Sequence, residues 1–174
     1  MPRSPLRFGF PPLSSNSGGP RAGGSTAGPV GIDKWQQEDL SGNHAAGTLD
    51  NATIEGVADK VEVHTGDARK LPFDDASFNV VLSSMALHNI YNAGERQTAV
   101  REIARVLKSG GRVLIVDVCH ARQYAATLRD AGLDARCVQG IGSYLLTAIT
   151  FGSIQCGCVI GGKAGPGSTV CASE

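Results

Sequence analysis

The stretch from Gly66 to Ile90, GDARKLPFDDASFNVVLSSMALHNI, is where the fold of this 174-residue chain is decided. Its centre, Phe78 to Leu82, is an apolar, valine-rich run too short for a helix. Such a run predicts a strand buried on both faces of a parallel sheet. It exits into Ser83-Ser84, small residues that let a ligand come close to the backbone. Ahead of it, Gly66-Asp67 forms a turn at the carboxyl end of an earlier strand, and the Asp67 side chain can cap that turn or accept from a ligand amine. Leu71-Pro72-Phe73 anchors the connection and Asp74-Asp75 makes a solvated turn. Open α/β sheets present the carboxyl ends of their strands to a ligand crevice, so this stretch points to a nucleotide-type cofactor site.

Downstream, Leu87-His88-Asn89-Ile90 follows the strand exit, with His88 the one titratable group near it. A histidine there is either an ordinary structural residue or a base. Gly94 to Lys108 reads as a helix: Val100, Ile103, Val106 and Leu107 form its apolar stripe, and Arg96, Arg101, Glu102, Arg105 and Lys108 sit largely opposite. Gly110-Gly111 is expected to end it through positive φ angles. Arg112 to Val118 is a second buried strand with Asp117 near its end. Ala121 to Ala131 is an amphipathic helix carried by Tyr124 and Leu128 and stopped by Gly132.

Upstream, Val61 to Thr65 alternates as a short strand. His44 to Glu55 is expected to be a helix capped by Asn43, with Ala45, Leu49 and Ala52 on one face and Gly56 closing it. Val30-Gly31-Ile32-Asp33 is a strand end closing on an acid, which suits either ribose hydroxyls or plain solvent. Trp35, the only tryptophan, either covers a flat ligand ring or plugs its loop. Strands alternating with helices in this order imply an α/β sheet.

The composition narrows the function classes. A formal net charge of +0 gives no electrostatic case for a nucleic-acid partner. The five cysteines, an odd number, argue against a disulfide framework and for a reducing, cytoplasmic setting. Cys156 and Cys158 lack a second ligand pair at metal spacing, so no metal site is expected. Residues 1–29, rich in Pro, Gly, Ser and Arg, read as a disordered tail. The globular domain is placed at 30–162 and a flexible end at 163–174. The uncharged segment from Gly140 to Gly162 holds much Gly, Ser and Thr for a membrane span. A closing antiparallel strand pair, around Tyr144 to Phe151 and Cys156 to Ile160, is expected there instead.

GDARKLPFDDASFNVVLSSMALHNI, followed by REIARVLKSGGRVLIVD from Arg101 to Asp117, resembles the class I S-adenosylmethionine-dependent methyltransferases, especially the type 11 or UbiE-like group. Two motifs in order make the likeness specific, and it covers roughly residues 30 to 135. The resemblance implies a Rossmann-like, mostly parallel seven-stranded sheet with a C-terminal antiparallel strand pair. It implies S-adenosyl-L-methionine as cofactor and a small-molecule methyl acceptor; no nucleic acid is expected, from the net charge. By the same resemblance Asp33 holds the ribose hydroxyls, Asp67 and Ala68 sit at the adenine, and Ser83 lies beside the methionine moiety. Leu87 and His88 then line the passage to the acceptor, with His88 as the candidate base.

Asn79 and Ser109 are mild departures, standing where the family usually has Asp and Pro. The larger departure lies ahead of Val30, where the family's first strand, glycine-rich loop and first helix are not found. That strand belongs between those at 30–33 and 78–82. Its loss leaves three outcomes: the neighbours pair directly, the tail inserts something irregular, or the sheet splits. Two functions are therefore carried forward, a methyltransferase and a truncated, non-catalytic binding or interaction module.

Overall fold

A computed structural model describes residues 13–15, 28–36, 43–138 and 157–165. These build a seven-stranded sheet from β1 (Leu13–Ser15), β2 (Pro29–Asp33), β3 (Glu62–Thr65), β4 (Phe78–Ser84), β5 (Leu107–Asp117), β6 (Leu133–Val138) and β7 (Gly157–Lys163). The helices are α1 (Ala45–Ile54), α2 (Ala93–Val106) and α3 (Ala121–Asp130), with a single 3₁₀ turn at Leu87–Asn89. Strand order across the sheet is β3-β2-β1-β4-β5-β7-β6.

β2 runs parallel to β3, and β4 runs parallel to β5. β1 lies between β2 and β4, antiparallel to both, so those two neighbours share one direction. The carboxyl ends of β2, β3, β4 and β5 therefore gather along one edge of the sheet. Of the three outcomes left open by the first strand's absence, the chain takes the second. Leu13–Ser15, expected inside a disordered tail, fill the slot as a short strand of opposite direction. Its pairing is irregular: Ser14 opposes Val80, and the register shifts before Ser15 meets Phe78. Unpaired edges at the middle of a sheet leave backbone groups without partners, which is the physical reason a short insert is better than a gap. Pro29, the last residue of the predicted tail, opens β2, and residues 1–12 and 16–27 lie outside the described residues.

The far end of the sheet closes with an antiparallel pair, as expected, but it is built from different residues. β7 pairs with β5 on one side and β6 on the other. Leu133–Val138 thus takes the place expected for Tyr144 to Phe151, which lies outside the described residues. β7 also runs one residue into the expected C-terminal tail. Lys163 Nζ donates to the carbonyls of Ala104 (3.1 Å) and Leu107 (3.0 Å), two acceptors at the end of α2. A cation there suits the negative pole of the helix.

α2 stops at Val106, earlier than predicted, and Leu107 already has extended backbone. Gly110-Gly111 is not the helix stop. It lies in an outward step of β5, where Phe78 pairs with Leu107 and Val80 with Arg112. Gly110 has φ +78, a conformation glycine adopts without the Cβ clash of other residues.

α1 begins at His44, whose Nδ1 accepts from the Gly47 N–H at 2.9 Å, so the cap is His44 and not Asn43. Its end matches the prediction: the N–H groups of Gly56 and Val57 return to the carbonyls of Thr53 and Ala52. Ala52 is buried, but Leu49 and Ile54 are exposed, so the expected apolar face is only partly used.

The core runs from Ile32 and Phe78 through Val81, Val100, Ile103 and Ile115 to Tyr124, Leu128 and Val159, all buried. Arg105 and Glu102 of α2 join the second motif to the first. Arg105 donates to the carbonyls of Leu71 (3.1 Å) and Phe73 (2.8 Å) and pairs with Asp75. Glu102 accepts the Leu71 N–H at 2.9 Å and pairs with Arg105 at 2.7 Å. α2 thereby fixes the connection that delivers β4.

Candidate active site

The candidate residues come from three separate connections. Asp33 ends β2 and Thr65 ends β3, and they face each other in register. Gly66 continues from Thr65 with its N–H on the Asp33 carbonyl at 3.0 Å. A Cβ at Gly66 would stand 2.9 Å from Ile32 Cδ1 and 3.2 Å from Ile32 Cγ1, so a larger residue would displace the buried Ile32 side chain.

Asp33 Oδ1 accepts the Trp35 N–H at 2.7 Å, and no described residue bonds its other oxygen. Trp35 turns back at φ +56, and its indole N–H donates to Thr65 Oγ1 at 2.9 Å. The tryptophan is thus tied across the ends of β2 and β3, half-buried beside Asp33.

Asp67 is far more engaged than a free ligand-binding carboxylate. Arg69 donates to it from its backbone N–H and its guanidinium, and Lys34 Nζ lies 2.8 Å away. The Arg69 guanidinium, then Lys34, hold its carboxyl well below the usual carboxylate range, against the opposing effect of partial burial. Arg69 also pairs with Glu95 at the start of α2. Of the two roles read from the sequence, capping the turn is the one these contacts fulfil. Ala68 packs against the edge of the core.

Ser83 is 2 % exposed, and its Oγ has no hydrogen-bond partner among the described residues. A buried hydroxyl without a partner costs stability, so it calls for an explanation. Beyond it Met85 takes φ +52 and donates its N–H to the Val116 carbonyl at 2.8 Å. Leu87 is completely buried. It belongs to the buried core cluster, one residue before His88.

His88 follows with its side chain 25 % exposed. Its backbone N–H donates to Asp117 Oδ2 at 3.0 Å, and Nδ1 stands 2.6 Å from Asp117 Oδ1. That second approach has the distance of an ion pair but not the alignment of a directed hydrogen bond, and Nδ1 itself is buried. Asp117, 1 % exposed at the end of β5, also accepts from the Val118 N–H (2.8 Å) and the Tyr124 hydroxyl (3.3 Å). Burial, then the Asp117 charge, push the Tyr124 phenol far up. Arg96, read from its spacing as an outward-facing charge, is buried and donates to the carbonyls of Ile90 and Tyr91 at 2.8 Å each. Asp117 and Arg96 are the residues the sequence reading passed over. The only signal for Asp117 was an acid closing the buried run VLIV.

The donor and acceptor set suits an adenosylated amino-acid cofactor in part. Among the described residues, Asp33 keeps an open acceptor for hydroxyls and Ser83 an unspent buried hydroxyl. Asp67 is already occupied, and the strand in the central slot is the inverted β1. Among the described residues, no group of three or more His, Cys, Asp or Glu side chains is placed to hold a metal ion. No described helix is long and apolar enough to cross a membrane.

Residues 37–115 match a family model described as a methyltransferase domain. Over this segment, a little under half of the chain, it is similar to class I, UbiE-like methyltransferases. Demethylmenaquinone methyltransferase of Mycobacterium tuberculosis strain H37Rv is 45% identical over 62 residues, 36% of this chain and 25% of that protein. The ubiquinone/menaquinone biosynthesis C-methyltransferase UbiE of Pseudomonas fluorescens is 35% identical over 79 residues, 45% of this chain and 30% of that protein. The matched segment thus spans only about a quarter to a third of these curated relatives.

Solved structures share the methyltransferase fold more widely. The [4+2]-cyclase SpnF superposes with a TM-score of 0.59 at 21% identity, over 79% of this chain and 66% of its own. Geranyl diphosphate C-methyltransferase of Streptomyces coelicolor A3(2) gives 0.57 at 16%, over 78% and 63%. At such identities the likeness carries the Rossmann-like fold alone, and a cyclase among the neighbours underlines that fold does not set chemistry.

Proposed function

We propose that this chain binds S-adenosyl-L-methionine across the carboxyl ends of β2, β3 and β4 and directs its methyl group to a small-molecule acceptor. The observation that carries the reading is the convergence of Asp33, Trp35, Asp67, Ser83 and His88, from three separate connections, on one sheet edge. Asp33 would take the ribose hydroxyls with its open oxygen, and Ser83 would spend its buried hydroxyl on the amino-acid end. The Ala68 backbone would border the adenine, and Asp67 would reach its amine only if Lys34 yields. His88 would face the acceptor.

When bound, the cofactor supplies a sulfonium whose methyl is activated for displacement. The chain's share is to hold donor and acceptor in line and to keep water out, the positioning that dominates such transfers. The names of the relatives favour methyl transfer over the non-catalytic module. They also make a demethylated quinone the first acceptor to try.

Ultraviolet irradiation of the chain with cofactor labelled in its methyl group, followed by peptide mapping, tests the placement. Label is expected on peptides spanning residues 66–69 and 83–88. Label elsewhere, or none that unlabelled S-adenosylhomocysteine competes away, would remove the proposed site.

A further inference from the structure

We propose that Asp117 is a positioning residue for His88, setting which imidazole nitrogen is available to take a proton from the acceptor. This rests on the methyl-transfer reading above and narrows it to a protic acceptor: a carbon acid, enol, phenol or thiol that must lose a proton as it is methylated.

The argument starts from the two contacts that Asp117 makes to one residue. Oδ2 takes the backbone N–H of His88 and Oδ1 stands 2.6 Å from its ring Nδ1. A carboxylate at that distance favours the tautomer with the proton on Nδ1, because a lone pair facing a negative oxygen is repelled. Nδ1 is buried, so the exposed quarter of the side chain lies toward the other edge of the ring, which carries Nε2. The nitrogen left without a proton is then the one on the open side.

The surroundings keep the carboxylate in place. Asp117 is 1 % exposed and held by the Val118 N–H and the Tyr124 hydroxyl, so its orientation does not depend on His88. The titratable and charged groups gathered here are Asp117 from β5, Cys119 and His120 from the turn after it, Tyr124 from α3 and Arg96 from α2. Asp117 is the anion among them and the one in contact with the ring. Its negative charge would also stabilise the imidazolium formed on proton transfer.

The step balances. The acceptor atom forms a bond to the methyl carbon, and the carbon–sulfur bond breaks with its electron pair left on sulfur. The acceptor's proton passes to His88 Nε2 and leaves to water after product release.

Nitrogen-15 NMR of the histidine rings in the ligand-free chain, with His88→Gln to assign the signal, reads the tautomer directly. His88 should carry its neutral-form proton on Nδ1, and Asp117→Asn should raise the share of the Nε2 tautomer. In turnover, His88→Gln should lose about 100-fold in kcat, the usual scale of a general base. Asp117→Asn should lose less in kcat, with KM little changed. A wild-type His88 protonated on Nε2 overturns the proposal, and it does so even if Asp117→Asn fails to fold. If the Nδ1 tautomer is found but no cofactor binds, the methyl-transfer reading fails while the Asp117–His88 relationship stands.

Discussion

Arg105 of helix α2 reaches the Phe73 carbonyl at 2.8 Å, across 32 residues of chain, and so ties the first motif to the second. The same guanidinium takes the Leu71 carbonyl and pairs with Glu102 and Asp75. Arg105→Ala would leave two loop carbonyls and the Glu102 carboxylate without their partner. Charge-assisted hydrogen bonds of this kind support a loss of about 2–3 kcal/mol. Urea unfolding should show a lower midpoint with an unchanged slope, and Arg105→Lys should recover only part of it, since a lysine cannot reproduce the fork.

Acid should weaken the fold through this cluster and through Asp67. The hydrogen bond from Arg105 lowers the Glu102 carboxyl, and Arg69 and Lys34 lower that of Asp67. Both folded values lie below the unfolded ones, near 4. Their stabilisation is therefore fully present above about pH 5 and is lost as pH falls toward the folded values. Urea midpoints measured from pH 7 to pH 3 should fall. Glu102→Gln should start lower and show a shallower decline; an equally steep decline would contradict the assignment.

Ser83 separates folding from binding. Its buried hydroxyl has no described partner, so Ser83→Ala should leave stability within about 0.5 kcal/mol or raise it slightly. If that hydroxyl meets the cofactor, affinity should fall by roughly fivefold, about 1 kcal/mol. A clear loss of stability with unchanged affinity would make Ser83 a structural residue only.

Trp35 offers an optical handle, because it is the single tryptophan and its indole is tied to Thr65. Titration with S-adenosylhomocysteine should change its emission, with the same midpoint as any calorimetric binding. Thr65→Val should alter the emission of the free chain and leave the ligand-induced change smaller. No change on saturation would place the ligand away from β2 and β3.

Much of the sheet was legible because its strands obey simple patterns. Phe78 to Leu82 is too short and too valine-rich for a helix, and Val100, Ile103 and Val106 repeat at helical spacing; all three are buried as read. The errors share a cause: local signals were overridden by distant partners. Gly110-Gly111 looks like a helix stop, but pairing with β4 draws Leu107 into the sheet first. Arg96 sits on the charged side of α2 by spacing, yet two loop carbonyls draw it inside. Leu13–Ser15 carries no strand signal among its prolines, and only a vacant slot between β2 and β4 explains its pairing.

The site was legible by residue type more than by state. The sequence offers Asp33, Asp67, Ser83 and His88, but not that Lys34 and Arg69 already hold Asp67. Nor does it disclose that His88 answers to an acid 29 residues later. The His88–Asp117 pairing follows the register of β4 against β5, and the Lys34–Asp67 pairing that of β2 against β3, which no single segment encodes.

Calorimetric titration of the folded chain with S-adenosylhomocysteine, run beside Asp33→Ala, tests the central claim most directly. The account predicts saturable binding to one site, weakened in the variant by about 1–3 kcal/mol through lost charged hydrogen bonds. No binding at millimolar ligand to a sample shown to be folded would contradict it.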